Sequence, residues 1–130
     1  MRARILVVDD DPDILDAICD ILTAEGYAVA RARHGVEALE QVARQRPDLI
    51  LLDLMMPVMD GPTFARELRN ALGVHGIPII VISADGNPGR AASVQARRYL
   101  AKPFDIEVLL DQVAQIAREA RDAGNGAAAP

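Results

Sequence analysis

Three short runs in this chain have almost no polar face: RILVV at residues 4–8, LILL at 49–52 and IPIIVIS at 77–83. A strand that is apolar on both sides needs cover on both sides, as in a parallel sheet packed between two layers of helices. The segments between these runs fit that demand. Ile14, Leu15, Ile18, Cys19 and Leu22 recur at helical spacing and end at Gly26. Asp11 followed by Pro12 predicts an N-cap with proline in the first helical turn. YAVARA at 27–32 alternates weakly and predicts a strand with one wet face. Val36, Leu39, Val42 and Ala43 mark a second helix closed by Pro47. Phe64, Ala65, Leu68 and Leu72 mark a third, over 62–72, ending at Gly73. Residues 88–97 are a weak helix candidate, and Tyr99 to Ala101 a short fifth strand. Ile106, Leu109, Leu110, Val113, Ile116 and Ala117 make a strong final helix. Strand and helix thus alternate five times, with connections too long for hairpins. The expected fold class is α/β: an open, five-stranded, doubly wound parallel sheet. Ligands of such sheets bind at the carboxyl ends of the strands.

Those ends carry the polar chemistry. Asp9 and Asp10 follow the first strand, Asp53 ends the third, Ser83 ends the fourth and Lys102 follows the fifth. Folding gathers all of them at one edge. Three carboxylates there repel, at roughly 4 kcal/mol per pair at about 4 Å and an effective dielectric near 20. One lysine cannot balance them, but a divalent hard cation can. An oxygen-only donor set suits Mg²⁺, with Mn²⁺ as a substitute. A cation with open positions can hold a phosphoryl group, Asp53 can attack phosphorus to give an acyl phosphate, and Lys102 and Ser83 can neutralise and hydrogen-bond the phosphoryl oxygens.

The set ILVVDD, LLDLMMPVMDG, VIS and YLAKPF, in this order and spacing, resembles the receiver domain of two-component response regulators over about residues 3–120. The resemblance implies a flavodoxin-like fold of strand order 2-1-3-4-5. It implies that Asp53 is the phosphoacceptor, that Asp9 and Asp10 are the metal-site acids with Asp10 a direct ligand, and that the backbone carbonyl of Met55 is a further ligand. Ser83 then stands at the switch hydroxyl, Tyr99 at the aromatic switch position, and Lys102 before the proline of a Lys-Pro pair with a cis bond. The partners implied are a histidine kinase or phosphotransfer protein and a downstream protein target. The role is that of a signalling domain that phosphorylates and slowly dephosphorylates itself rather than an enzyme. The segment between Ser83 and Lys102 is shorter than is usual in the family and holds Gly86, Pro88 and Gly89, so the fourth helix is expected to be short.

Composition narrows the field. The chain has 130 residues and a net charge of −5, which argues against a nucleic-acid or anionic-lipid surface. Its one cysteine allows no internal disulfide and fits a reducing, cytoplasmic setting. No run is long enough to span a membrane, and MRARILVVDD turns acidic too soon for a signal peptide. There is no internal repeat. Residues 1–120 are expected to form the domain and 121–130 a flexible tail, in a stand-alone receiver, like a chemotaxis regulator, that is a monomer or weak dimer. A receiver excised from a longer protein would read the same way.

Other readings assign some residues simpler work. Asp11 is a helix cap, Cys19 a core residue, His34 and His75 solvated loop residues, and Met55, Met56 and Met59 packing and loop cover. A phosphorylation-independent interaction module would need a broken site, and this one is intact. An aspartyl-phosphate hydrolase usually has a second acid where Met55 stands. A flavin site would want glycine and backbone donors after the first strand, where this chain is acidic.

Overall fold

A computed structural model of the chain describes residues 3–54, 59–73, 76–84 and 96–128. Five strands, β1 (Arg4–Val8), β2 (Ala28–Ala32), β3 (Leu49–Asp53), β4 (Ile79–Ser83) and β5 (Arg98–Ala101), form one parallel sheet in the order β2-β1-β3-β4-β5. The described helices are α1 (Pro12–Ala24), α2 (Gly35–Arg44), α3 (Gly61–Asn70) and α4 (Ile106–Ala128). The expected doubly wound sheet and its strand order are both present. Of the weak helix candidate at 88–97, residues 88–95 lie outside the described residues, and the described Ala96 and Arg97 are not helical.

Side-chain alternation along the strands sorts the interior into two cores. Leu6, Val8, Ile50, Leu52, Ile79 and Val81 pack on one face with Ala38 and Val42 of α2 and Phe64, Ala65 and Leu68 of α3. Ile5, Val7, Leu49, Leu51, Ile80 and Ile82 pack on the other with Leu15, Ile18, Cys19 and Leu22 of α1 and Leu109, Val113 and Ile116 of α4. Every residue of β3 and β4 is buried, as their lack of a polar face requires.

The helix starts follow local chemistry. Asp11 caps α1: its carboxylate accepts the N–H groups of Asp13 at 2.9 Å and Ile14 at 3.3 Å, with Pro12 in the first turn. Asp60 caps α3 by accepting the Thr63 N–H at 2.8 Å. Gly26 takes φ +96° beyond α1, a conformation that side chains disfavour.

Four details differ from the sequence expectation. Val36 and Ala43 are exposed, so the apolar face of α2 runs through Gly35, Ala38, Leu39 and Val42. Ile106 and Leu72 are exposed because they lie at or beyond helix ends rather than on a packed face. His34 is not a solvated loop residue but the cap of α2. The backbone remains helical through Ala128, where a loose tail was expected from 121; alanine-rich sequence without an interior proline favours continuation over Gly124 and Gly126. Among the described residues, no helix is long and apolar enough to cross a membrane.

Candidate functional site

The alternation that builds the two cores also sorts the polar residues at the carboxyl edge. Asp9 continues the parity of Ile5 and Val7, Asp53 that of Leu49 and Leu51, and Lys102 that of Leu100. All three therefore belong to the α1/α4 side of the sheet. Ser83 continues the parity of Ile79 and Val81, and Tyr99 packs against that same α2/α3-side core. One sheet edge thus holds the charged groups on one side and the hydroxyl and the aromatic ring on the other.

Asp9 is 2% exposed and Asp53 5%, a degree of burial that demands charge compensation. Lys102 supplies part of it. Its Nζ donates to Asp9 Oδ2 at 2.9 Å and to Asp53 Oδ2 at 3.5 Å. The second oxygen of Asp9 is also engaged: Oδ1 accepts the Asp11 N–H at 2.9 Å. The backbone of Asp9 is fixed by donation to the Ala32 carbonyl at 3.1 Å. Asp9 is thus held from three sides, whereas Asp10 is exposed to solvent at the mouth of the site.

Burial opposes the charge on Lys102 and is the largest single influence on it. The hydrogen bond to Asp9 and the charges of Asp53 and Asp9 together outweigh that penalty and hold the ammonium above its ordinary value. The lysine is therefore a fixed cation. Its backbone N–H donates to the Ser83 carbonyl at 2.9 Å, and the Lys102–Pro103 peptide is cis. Ser83 is fully buried, and Tyr99 is half-buried opposite Val81 of β4.

Asp9, Asp10 and Asp53 each present a carboxylate oxygen within 4.8 Å of the others, a group that could hold a metal ion. The donor set is all oxygen, and one lysine leaves it with surplus negative charge. Both properties fit a small hard divalent cation. Met55, expected to contribute a backbone carbonyl, lies outside the described residues. So does His75.

The comparisons with known proteins agree on one family. Residues 5–114 match the family model for the response regulator receiver domain. The chain belongs to this family. It is 42% identical over 121 residues to the response regulator MprA of Mycobacterium leprae (strain TN), covering 91% of this chain and 52% of that protein. The MprA of Mycobacterium tuberculosis (strain ATCC 25177 / H37Ra) is 40% identical over 124 residues. The chain spans about half the length of the curated relatives it matches. Among solved structures, the chemotaxis protein CheY4 of Vibrio cholerae aligns with a TM-score of 0.82 and 32% identity, over 89% of this chain and 99% of that one. NtrX from Brucella abortus aligns with a TM-score of 0.86 and 28% identity, over 98% of this receiver chain but only 29% of its own.

Sequence reasoning missed His34 as a cap. Only half of a capping signal was present: Glu37 stands three residues on, before an apolar helical pattern, but histidine is not a usual cap, and Glu37 accepts the Arg33 N–H rather than closing a box onto His34.

Proposed function

We propose that the chain accepts a phosphoryl group on Asp53 from a histidine kinase or a phosphotransfer protein and relays the change to a downstream protein. The observation that carries this reading is the buried Asp9–Lys102–Asp53 constellation, with Asp10 beside it at the solvent edge. A carboxylate oxygen of Asp53 attacks phosphorus, and the bond from phosphorus to the donor nitrogen breaks. The donor imidazole leaves, and the phosphoryl group becomes an acyl phosphate. Lys102 meets the phosphoryl oxygens with a charge that burial has not removed. Asp9, Asp10 and Asp53, with the Met55 carbonyl, are the residues proposed to hold Mg²⁺ or Mn²⁺. Such an ion, when bound, lowers the charge repulsion between phosphoryl group and carboxylates.

Ser83 and Tyr99 are the proposed switch pair. Ser83 is tied to Lys102 through the backbone, and Tyr99 lies on the Ser83 side of the sheet. A shift at the site therefore has a short route to the α2/α3 face. The proposed setting is cytoplasmic, and the domain works as a monomer or weak dimer.

The test is intact mass after incubation with acetyl phosphate and Mg²⁺. The wild type should gain one phosphoryl group and the Asp53→Asn variant none. An adduct mapped to Asp9 or Asp10 in the wild type would refute the assignment.

A further inference from the structure

Helix α2 begins differently from its neighbours. N-caps are usually side chains whose oxygen accepts a backbone N–H, as Asp11 and Asp60 do for α1 and α3. The cap of α2 is His34, in extended backbone, with Nδ1 accepting the Glu37 N–H at 3.2 Å. An imidazole nitrogen accepts only while it carries no proton. The cap therefore belongs to the neutral ring with its proton on Nε2. Protonation exchanges the acceptor for a donor and places a positive charge at the positive end of the helix dipole.

The surrounding charges do not supply a substitute. Glu37, the nearest carboxylate on α2, already accepts the Arg33 N–H at 3.3 Å and lies 3.8 Å from Arg33 Nε. From β2, Arg31 is paired with Asp16 of α1. Beyond β1, Asp9 is held by Lys102, and Asp10 is at the solvent edge. On the α3 side, Asp60 caps its own helix, and the helix beyond it carries Arg66, Glu67 and Arg69.

The cap has a mechanical connection to the acceptor loop. Gly35, the first residue of α2, is buried, and a Cβ there would stand 2.8 Å from Cβ, Cγ and Sδ of Met59. The backbone of the first turn thus lies directly against that side chain. Met59 belongs to the connection between Asp53 and α3 and packs on the α2/α3-side core. We propose that His34 is a proton-sensitive cap: the neutral imidazole holds the first turn of α2 and, through Gly35, the seat of Met59, and acidification loosens both. The inference rests on the proposed function only in treating this connection as the acceptor loop.

The direction follows from proton uptake. A ring protonated at Nδ1 cannot accept the Glu37 N–H, so the cap is made by the neutral ring and is lost once the ring takes up a proton. Imidazole is the side chain that ordinarily changes charge between about pH 5 and 8.

The experiment compares melting temperatures of the wild type and His34→Asn in chelator from about pH 8 to about pH 5. Asparagine caps at every pH in that range. The wild type should lose about 2–5 °C more than the variant on acidification. Parallel curves for the two proteins overturn the proposal. A second measurement uses the wild type alone, following the His34 ring, the Glu37 amide and the Met59 methyl by NMR. The Glu37 amide should lose exchange protection, and the Met59 methyl should shift, in step with ring protonation. A Glu37 amide indifferent to the ring overturns the cap, and a methyl that does not follow overturns the link to the loop. Neither readout requires phosphoryl transfer, so failure of phosphorylation and failure of the cap are separately visible.

Discussion

Lys102 is the chain's single lysine; every other strongly basic residue is arginine. A flexible ammonium can reach two carboxylates and still turn toward a third oxygen, whereas a guanidinium fork favours one planar partner. The two buried aspartates are tolerable in the metal-free fold because Lys102 lies within 2.9 Å of one and 3.5 Å of the other. Lys102→Met should therefore destabilise the metal-free protein by about 3 kcal/mol, the scale of breaking a buried ion pair. Added Mg²⁺ should stabilise this variant more than the wild type, because the ion then replaces the missing cation. Denaturant melts with chelator and with Mg²⁺ check both halves; equal Mg²⁺ gains in the two proteins would count against shared charge compensation. The raised proton affinity of Lys102 also gives a pH dependence. Its contribution is fully present below the unfolded lysine value, about 10.4, and fades as pH rises through the higher folded value. Wild-type stability should thus fall in the alkaline limb more steeply than that of Lys102→Met.

At the scale of elements, strands were legible because burial on both faces leaves no polar residue to blur the pattern. RILVV coincides with β1, and LILL with all of β3 but its terminal Asp53. Helix faces were less legible. Val36 sits next to Gly35, and the small residue, not the larger one, faces the core because Met59 leaves no room for a side chain there. The carboxylates and Lys102 were found from strand ends alone, since parallel topology brings such ends together whatever the loops do. The His34 cap was not, because histidine is uncommon at that position and its role depends on which nitrogen is protonated. In α4 the packed face includes Leu109, Val113 and Ile116, and beside them Gln112 buries an Oε1 with no hydrogen-bond partner among the described residues. An unsatisfied buried oxygen costs about 1–3 kcal/mol. Gln112→Met keeps the shape and removes the oxygen, so it should raise stability by about 1 kcal/mol in denaturant unfolding. A loss of stability would show that the oxygen is satisfied.

For the whole molecule, the two cores and the site share one sheet, so charge at its carboxyl edge acts on the stability of the entire fold. The chain carries a net charge of −5, and three of its carboxylates converge within 4.8 Å. Any salt should relieve some of that repulsion by screening. An ion held by Asp9, Asp10 and Asp53 should do more, because binding to the folded state alone stabilises by mass action, about 2.7 kcal/mol at a hundredfold excess over the dissociation constant. Melting temperature should therefore rise with Mg²⁺ beyond the rise produced by NaCl of matched ionic strength. Asp10→Asn separates the two effects. Removing one of the converging charges should raise the melting temperature in chelator by a few degrees, and it should erase most of the excess produced by Mg²⁺. If Mg²⁺ and matched NaCl act alike on the wild type, the carboxylate cluster is not a metal site, and its acidity is offset without a bound cation, by Lys102 and the Asp11 N–H among others.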